Sequence, residues 1–241
     1  MPPFPGFPEE GLKFLRALKR NNRREWFQPR KEIYETQVKA PMVELVTAVN
    51  SAMVRFAPMY TRDPRAAIFR VYRDTRFSND KTPYKTHIGA IFPRQGMGKL
   101  EGAGLYFHVS SEEIEIAGGV YMPEPEVLRL IRQHLADHGD EFRAIVRGRT
   151  LRKLLGEVEG EKAARIPKGF ACDHPEADLI RYKQVLFDLT LDPAVAATPK
   201  LLPEIVSRFR AMAPFIEFLN RPLVEAGRKP RPARLHTFDL R

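Results

Sequence analysis

Hydrophobic periodicity changes twice along the chain, and this alternation narrows the fold more than any other feature. Over residues 29–56 the apolar residues Ile33, Val38, Met42, Leu45, Val46, Val49 and Met53 recur at helical spacing, with Pro41 as a kink inside the run. From Ala67 the period drops to two. Ala67, Phe69 and Val71 take one side of a strand, and Ile68, Arg70, Tyr72 and Asp74 take the other. Further strands are predicted over residues 86–92, 105–109 and 113–121, the last two forming a hairpin around Ser110-Ser111-Glu112. Four strands without helices between them predict an antiparallel sheet rather than alternating βαβ units.

Helical spacing brackets the strands. A short helix is expected at residues 9–19, stopped by Asn21-Asn22, and two helical stretches follow Pro123 and Pro125, reaching residue 155. Residues 184–191 read as an extra strand, and residues 201–223 as a long amphipathic helix with Ile205, Phe209, Met212, Phe215, Ile216 and Leu219 on its apolar face. The expected class is α+β: a mainly antiparallel sheet of about four to six strands packed against long N-terminal and C-terminal helices, with a helical middle section. A length of 241 residues, 43% of them hydrophobic, suits one core, so residues 1–227 are read as a single domain and residues 228–241 as a basic C-terminal tail.

The net charge of +10 is unevenly placed. Residues 1–100 hold 19 Lys+Arg against 9 Asp+Glu, so the whole excess lies there, and the remainder is balanced apart from a basic patch at Arg228, Lys229, Arg231, Arg234 and Arg241. Such asymmetry suits an anionic partner for the N-terminal part, and an uneven solvated surface gives the same count. No apolar run approaches the roughly 20 residues needed to span a bilayer, and the start has no secretory pattern, so a cytoplasmic protein is expected. The single cysteine, Cys172, is read as a small core hydrophobe.

The segment RVYRDTRFSNDKTPYK, residues 70–85, is the candidate site. About ten residues separate the strand ending near Asp74 from the next, too many for a tight hairpin. If Arg70 and Tyr72 share the polar strand face, Arg73, Arg76, Lys81 and Lys85 fold toward the same space and five cations converge. Guanidinium forks with Ser78, Asn79 and backbone N–H groups, and with Tyr72 and Tyr84 as orienting groups, then make an anion site for a phosphate- or carboxylate-bearing small molecule. A second account uses the same residues structurally, with Arg73 or Arg76 paired to Asp74 and Asp80 so that the loop is pinned. Trp26 likewise has two accounts: packing at a helix junction with Phe27, or lining the anion pocket as a stacking surface.

Phe14-Leu15, Leu18, Asn21-Asn22, Trp26-Phe27, Lys31 and Tyr34, followed by RDTRFSNDKTPYK at residues 73–85, resemble the signature of a widespread bacterial and fungal family classed as a domain of unknown function, family 2461. The resemblance covers most of the chain. It implies one cytosolic domain with no assigned activity, substrate or cofactor, and it transfers no catalytic residue. It also implies that NNRREWF and RDTRFSNDKTPYK belong to one design and meet in space.

Other patterns carry less. Ser78 to Lys81 matches S-x-x-K, but the accompanying S-D-N and K-T-G elements of serine acyl-enzymes are missing. His134 and His138 are spaced i, i+4 near Asp137 and Asp140, without the glutamate of H-E-x-x-H, and no metal site is nominated. Sequence spacing brings no catalytic group together, implies no cofactor and carries no signal about oligomeric state. The alternatives to anion binding are a nucleic-acid-associated protein using a spread basic surface, and a scaffold whose arginine loop is structural.

Overall fold

The computed structural model describes residues 4–76 and 78–227. The basic patch of the tail, residues 228–241, lies outside the described residues. Helix α1 (Glu9–Arg20) ends at Asn21, whose side-chain amide donates to the Ala17 carbonyl at 2.9 Å and so satisfies one of the open carbonyls of the last turn.

A continuous helical run follows: α2 (Arg24–Phe27), a tight 3₁₀ turn (Gln28–Arg30), α3 (Lys31–Ile33), a π-helical stretch (Tyr34–Lys39) and α4 (Ala40–Met53). The kink expected at Pro41 takes the form of this π stretch. Pro41 has no N–H to offer the Gln37 carbonyl, and the Ala40 N–H reaches back five residues to the Glu35 carbonyl. Gly11 of α1 packs directly on that freed carbonyl; a Cβ there would stand 2.1 Å from the Gln37 oxygen.

Residues 67–74 are not a strand. Asp63 accepts a hydrogen bond from the Ala66 N–H and, with Pro64 at the first position, closes one helical turn, α5 (Pro64–Ala67). Beyond it the chain is extended but makes only isolated bridges, Ile68 to Ala90 and Tyr72 to Tyr84. Pro83 cannot donate, so a regular ladder cannot grow past that pair. What remains is Lys85 N–H to the Val71 carbonyl (2.8 Å) and Arg73 N–H to the Pro83 carbonyl (2.9 Å).

The sheet has four strands among the described residues, β1 (His87–Pro93), β2 (Gly104–Ser110), β3 (Ile114–Val120) and β4 (Val185–Leu191), antiparallel throughout in the order β1-β2-β3-β4. The hairpin joining β2 to β3 turns where expected; Ser110 Oγ accepts from the Glu112 and Glu113 N–H groups at 3.1 and 3.0 Å. Between β3 and β4 come α6 (Pro125–Asp137), α7 (Gly139–Val146), α8 (Arg149–Leu155) and the single turn α9 (Ala177–Ile180). Helix α10 (Leu201–Glu225) is the last element among the described residues and buries the expected Ile205, Phe209, Met212, Phe215, Ile216 and Leu219, together with Phe218 and Leu223.

Side-chain alternation divides the sheet into two chemically different faces. Ile88, Ala90 and Phe92 of β1, Leu105, Phe107 and Val109 of β2, Ile114 and Ile116 of β3, and Val185 and Phe187 of β4 are buried in one hydrophobic cluster with α4 and α10. Phe92 meets Phe209 edge-on at 5.6 Å and Phe187 meets Phe215 at 4.9 Å. Gly118 lets α10 approach closely, since a Cβ there would lie 2.6 Å from Met212 Sδ. The opposite face carries Tyr106, His108, Glu115 and Asp188. Cys172 is exposed rather than buried, because it lies in an irregular stretch outside every helix and strand. No helix among the described residues is long and apolar enough to cross a membrane.

Candidate functional site

The two motifs meet through one side chain. Asn22 lies just past the end of α1. Its Oδ1 accepts the Tyr84 N–H at 3.0 Å and its Nδ2 donates to the Tyr84 carbonyl at 2.8 Å, so one amide satisfies both backbone groups of a buried residue. Phe27 then stacks on the Tyr84 ring, with centroids 4.1 Å apart and planes at 19°. NNRREWF and RDTRFSNDKTPYK therefore form one structural unit.

A cleft of about 310 Å³ opens at this junction, lined by Arg24, Gln28, Tyr72, Arg73, Thr75, Pro83 and Tyr84. Arg24 and Gln28 are four residues apart and share a face of the helical run. The Arg24 side chain makes no hydrogen bond or ion pair among the described residues and is exposed. Tyr72, 44% exposed, presents its ring beside Tyr84 at 5.6 Å. Arg73 is nearly covered, and its Nη1 bonds to the Asp80 carboxylate, the Thr82 hydroxyl and, at 3.4 Å, the Thr82 carbonyl. The Thr82 N–H, seconded by Arg73, holds the Asp80 carboxyl down at about 2.

The other cations expected here go elsewhere. Arg76 forms a forked pair with Asp74, Nε to Oδ1 at 2.9 Å and Nη2 to Oδ2 at 2.6 Å, with the guanidinium facing solvent. Lys81 Nζ donates to the Thr75 carbonyl at 2.8 Å, and Ser78 Oγ accepts from the Asp80 N–H at 3.2 Å. Arg70 is exposed and makes no hydrogen bond or ion pair among the described residues. Lys85 and Lys99 lie over the Phe69 ring at 4.8 and 4.6 Å. The five cations of residues 70–85 do not converge. Local carboxylates lie within reach of Arg73 and Arg76, and an ion pair formed within one loop costs far less chain entropy than a gathered cluster of like charges. Trp26 is outside the cleft lining; it packs on Phe14 at 5.5 Å with the Arg30 guanidinium 4.7 Å over its ring.

Arg24 and Gln28 were not singled out from the sequence. The available signal was their position inside NNRREWF, with the i, i+4 spacing that sets them side by side.

Three residues beyond Tyr84 the chain enters β1 at His87, whose ring stacks on His108 at 4.4 Å. Around His108, Tyr106 Oη lies 3.2 Å from Nδ1, Glu115 Oε2 lies 3.3 Å from Nδ1 and Glu113 Oε1 lies 3.8 Å from Nε2. Burial, reinforced by Lys85 and Arg73, lowers His87 to about 4; burial, with His87 and Lys85, lowers His108 to about 3. Both imidazoles are therefore neutral at pH 7, and the contacts to Glu113 and Glu115 are not ion pairs. Burial raises the Glu115 carboxyl to about 7, with Asp188 and Glu113 adding repulsion. Asp188 is shifted upward by burial first, with repulsion from Glu159 and then Glu113. Nothing in sequence spacing marks this group, because it is assembled from three strands. Elsewhere His138, Asp140 and His174 help line a second cleft, of about 440 Å³, and the His134 ring packs against Phe218 at 4.5 Å.

No curated protein matches the chain. The family model described as conserved hypothetical protein (DUF2461) matches residues 10–218, and the chain belongs to that family.

Proposed function

We propose that the chain binds a small anionic molecule, bearing phosphate or carboxylate, in the cleft between Arg24 and Arg73. One observation carries this reading: the lining includes two guanidinium groups and no carboxylate, and only Arg73 has an acidic partner, Asp80, which stands behind it. Arg24 supplies the net attraction. Arg73, held by Asp80 and Thr82, supplies donors at a fixed place, so little side-chain entropy is lost on binding. Gln28 and Thr75 add neutral hydrogen-bonding groups, and the exposed Tyr72 ring offers a flat surface for a ring-bearing ligand.

The test is titration of the full chain with phosphate, citrate and ATP at low salt, comparing wild type with Arg24→Met and Arg73→Met. Losing one charge-assisted bond costs about 1.5–3 kcal/mol, so Arg24→Met should weaken binding by roughly 10- to 100-fold with the melting temperature unchanged. Arg73→Met should weaken binding and also lower the melting temperature, because it removes the bonds from the nearly covered guanidinium to Asp80 and Thr82 that pin the loop. Equal affinity of wild type and Arg24→Met, or no binding of any of the three anions, overturns the reading.

A further inference from the structure

The sheet face turned away from α10 carries a group of ligating atoms that the anion cleft does not use. His108 and Glu115 are cross-strand partners in the β2–β3 ladder. Glu113, two residues before Glu115, falls on the same side because side chains alternate along a strand. One ring nitrogen of His108 and one oxygen from each glutamate lie within 4.8 Å of one another. His108 is 3% exposed, and Asp188, opposite Ala117 on the adjoining strand, has its Oδ1 buried with no hydrogen-bond partner.

We propose that His108, Glu113 and Glu115 bind one divalent first-row metal ion, with zinc as the reference ion. The charge arrangement asks for a cation: none of Glu113, Glu115 and Asp188 forms an ion pair with Lys or Arg among the described residues. Gathering carboxylates on a covered face without a counter-charge is costly, and a divalent ion removes that cost. One imidazole nitrogen with carboxylate oxygens is a donor set for zinc or its first-row neighbours rather than for calcium or magnesium, which favour oxygen alone.

The geometry needs a modest contraction. Donors bound at 2.0–2.2 Å around a tetrahedral ion lie roughly 3.4 Å apart. Glu113, beside the β2–β3 turn with its side chain 42% exposed, is the member free to swing inward. The stacked His87 and the Tyr106 hydroxyl hold the His108 ring in plane, the kind of outer support that metal-bound histidines rely on. Three protein donors leave a fourth position of such an ion for water or a ligand.

The test is calorimetric titration of the chelator-stripped full chain with Zn²⁺, read alongside thermal shift, for wild type, Glu113→Gln and Glu115→Gln. Wild type should take up one zinc per chain and gain thermal stability. Glu113→Gln, an isosteric change at a half-exposed side chain that leaves folding intact, should weaken affinity by about tenfold or more, and Glu115→Gln by about a hundredfold or more. His108→Ala risks the fold, so the glutamate variants decide the matter. Wild type that takes up no zinc overturns the proposal. So does zinc bound as tightly by both variants as by wild type, which is the result if the ion sits instead near His138 and His174.

Discussion

At the scale of single residues, Asn22 and Asp80 show how polar side chains set a backbone. Asn22 uses both ends of its amide on Tyr84, the arrangement a neighbouring strand would otherwise supply. Asp80 accepts from the Thr82 N–H and from Arg73, and these bonds favour the charged carboxylate. Its pKa is held near 2 against an ordinary 3.8, so its linkage to Arg73 is complete above pH 3.8 and is lost as pH falls through about 2. A carboxyl-carbon NMR titration should place the Asp80 midpoint near 2. In Arg73→Gln the midpoint should rise only part of the way to 3.8, because the Thr82 N–H, the larger contributor, remains.

At the scale of elements, the N-terminal helices interlock at the defect that Pro41 creates. The Gln37 carbonyl loses its usual donor, and α1 lies against it through the bare backbone of Gly11. Helix propensity alone predicts that Gly11→Ala stabilises α1 by about 1 kcal/mol. The close approach predicts the opposite sign: a Cβ 2.1 Å from a backbone oxygen forces the helices apart, and Gly11→Ala should destabilise by about 1–3 kcal/mol in urea unfolding. The loop over residues 73–85 follows the same logic of local satisfaction. Its carboxylates hold Arg73 and Arg76 in place, which makes it a positioned wall of the cleft rather than a free cationic strap.

At the scale of the whole molecule, one buried polar group ties distant parts of the chain together. Asn220, on α10, is fully buried; it accepts from the Ala103 N–H at 2.8 Å, donates to the Ala103 carbonyl at 2.9 Å and donates to the Tyr60 hydroxyl at 2.8 Å. Asn220→Leu would leave three buried groups without that partner. It should cost about 3 kcal/mol in urea unfolding with an unchanged denaturant slope, since the compactness of the two states is not altered. The sheet separates its two faces at this scale too: the apolar face builds the core with α10, and the other face, continuous in sequence with the cleft at Tyr84 through Lys85 and His87, gathers His108, Glu113 and Glu115.

The order of helices and strands was written in the sequence, because period 3.6 and period 2 are properties of neighbours along the chain. So were the β2–β3 turn, the break at Pro41 and the buried stripe of α10, whereas the meeting of NNRREWF with RDTRFSNDKTPYK was implied by the family resemblance alone. Residues 67–74 misled, since their alternation is real but a capped turn at Asp63 and the missing donor of Pro83 prevent a ladder. The site itself was legible only in part. Of the candidate residues, Tyr72, Arg73 and Tyr84 line the cleft, whereas Arg76, Lys81 and Trp26 are held by local partners outside it and Arg70 is exposed away from its lining. Which cations meet and which pair off is a competition among groups brought near by folding. That competition, like the registry that sets His108 opposite Glu115, is decided only in the tertiary structure.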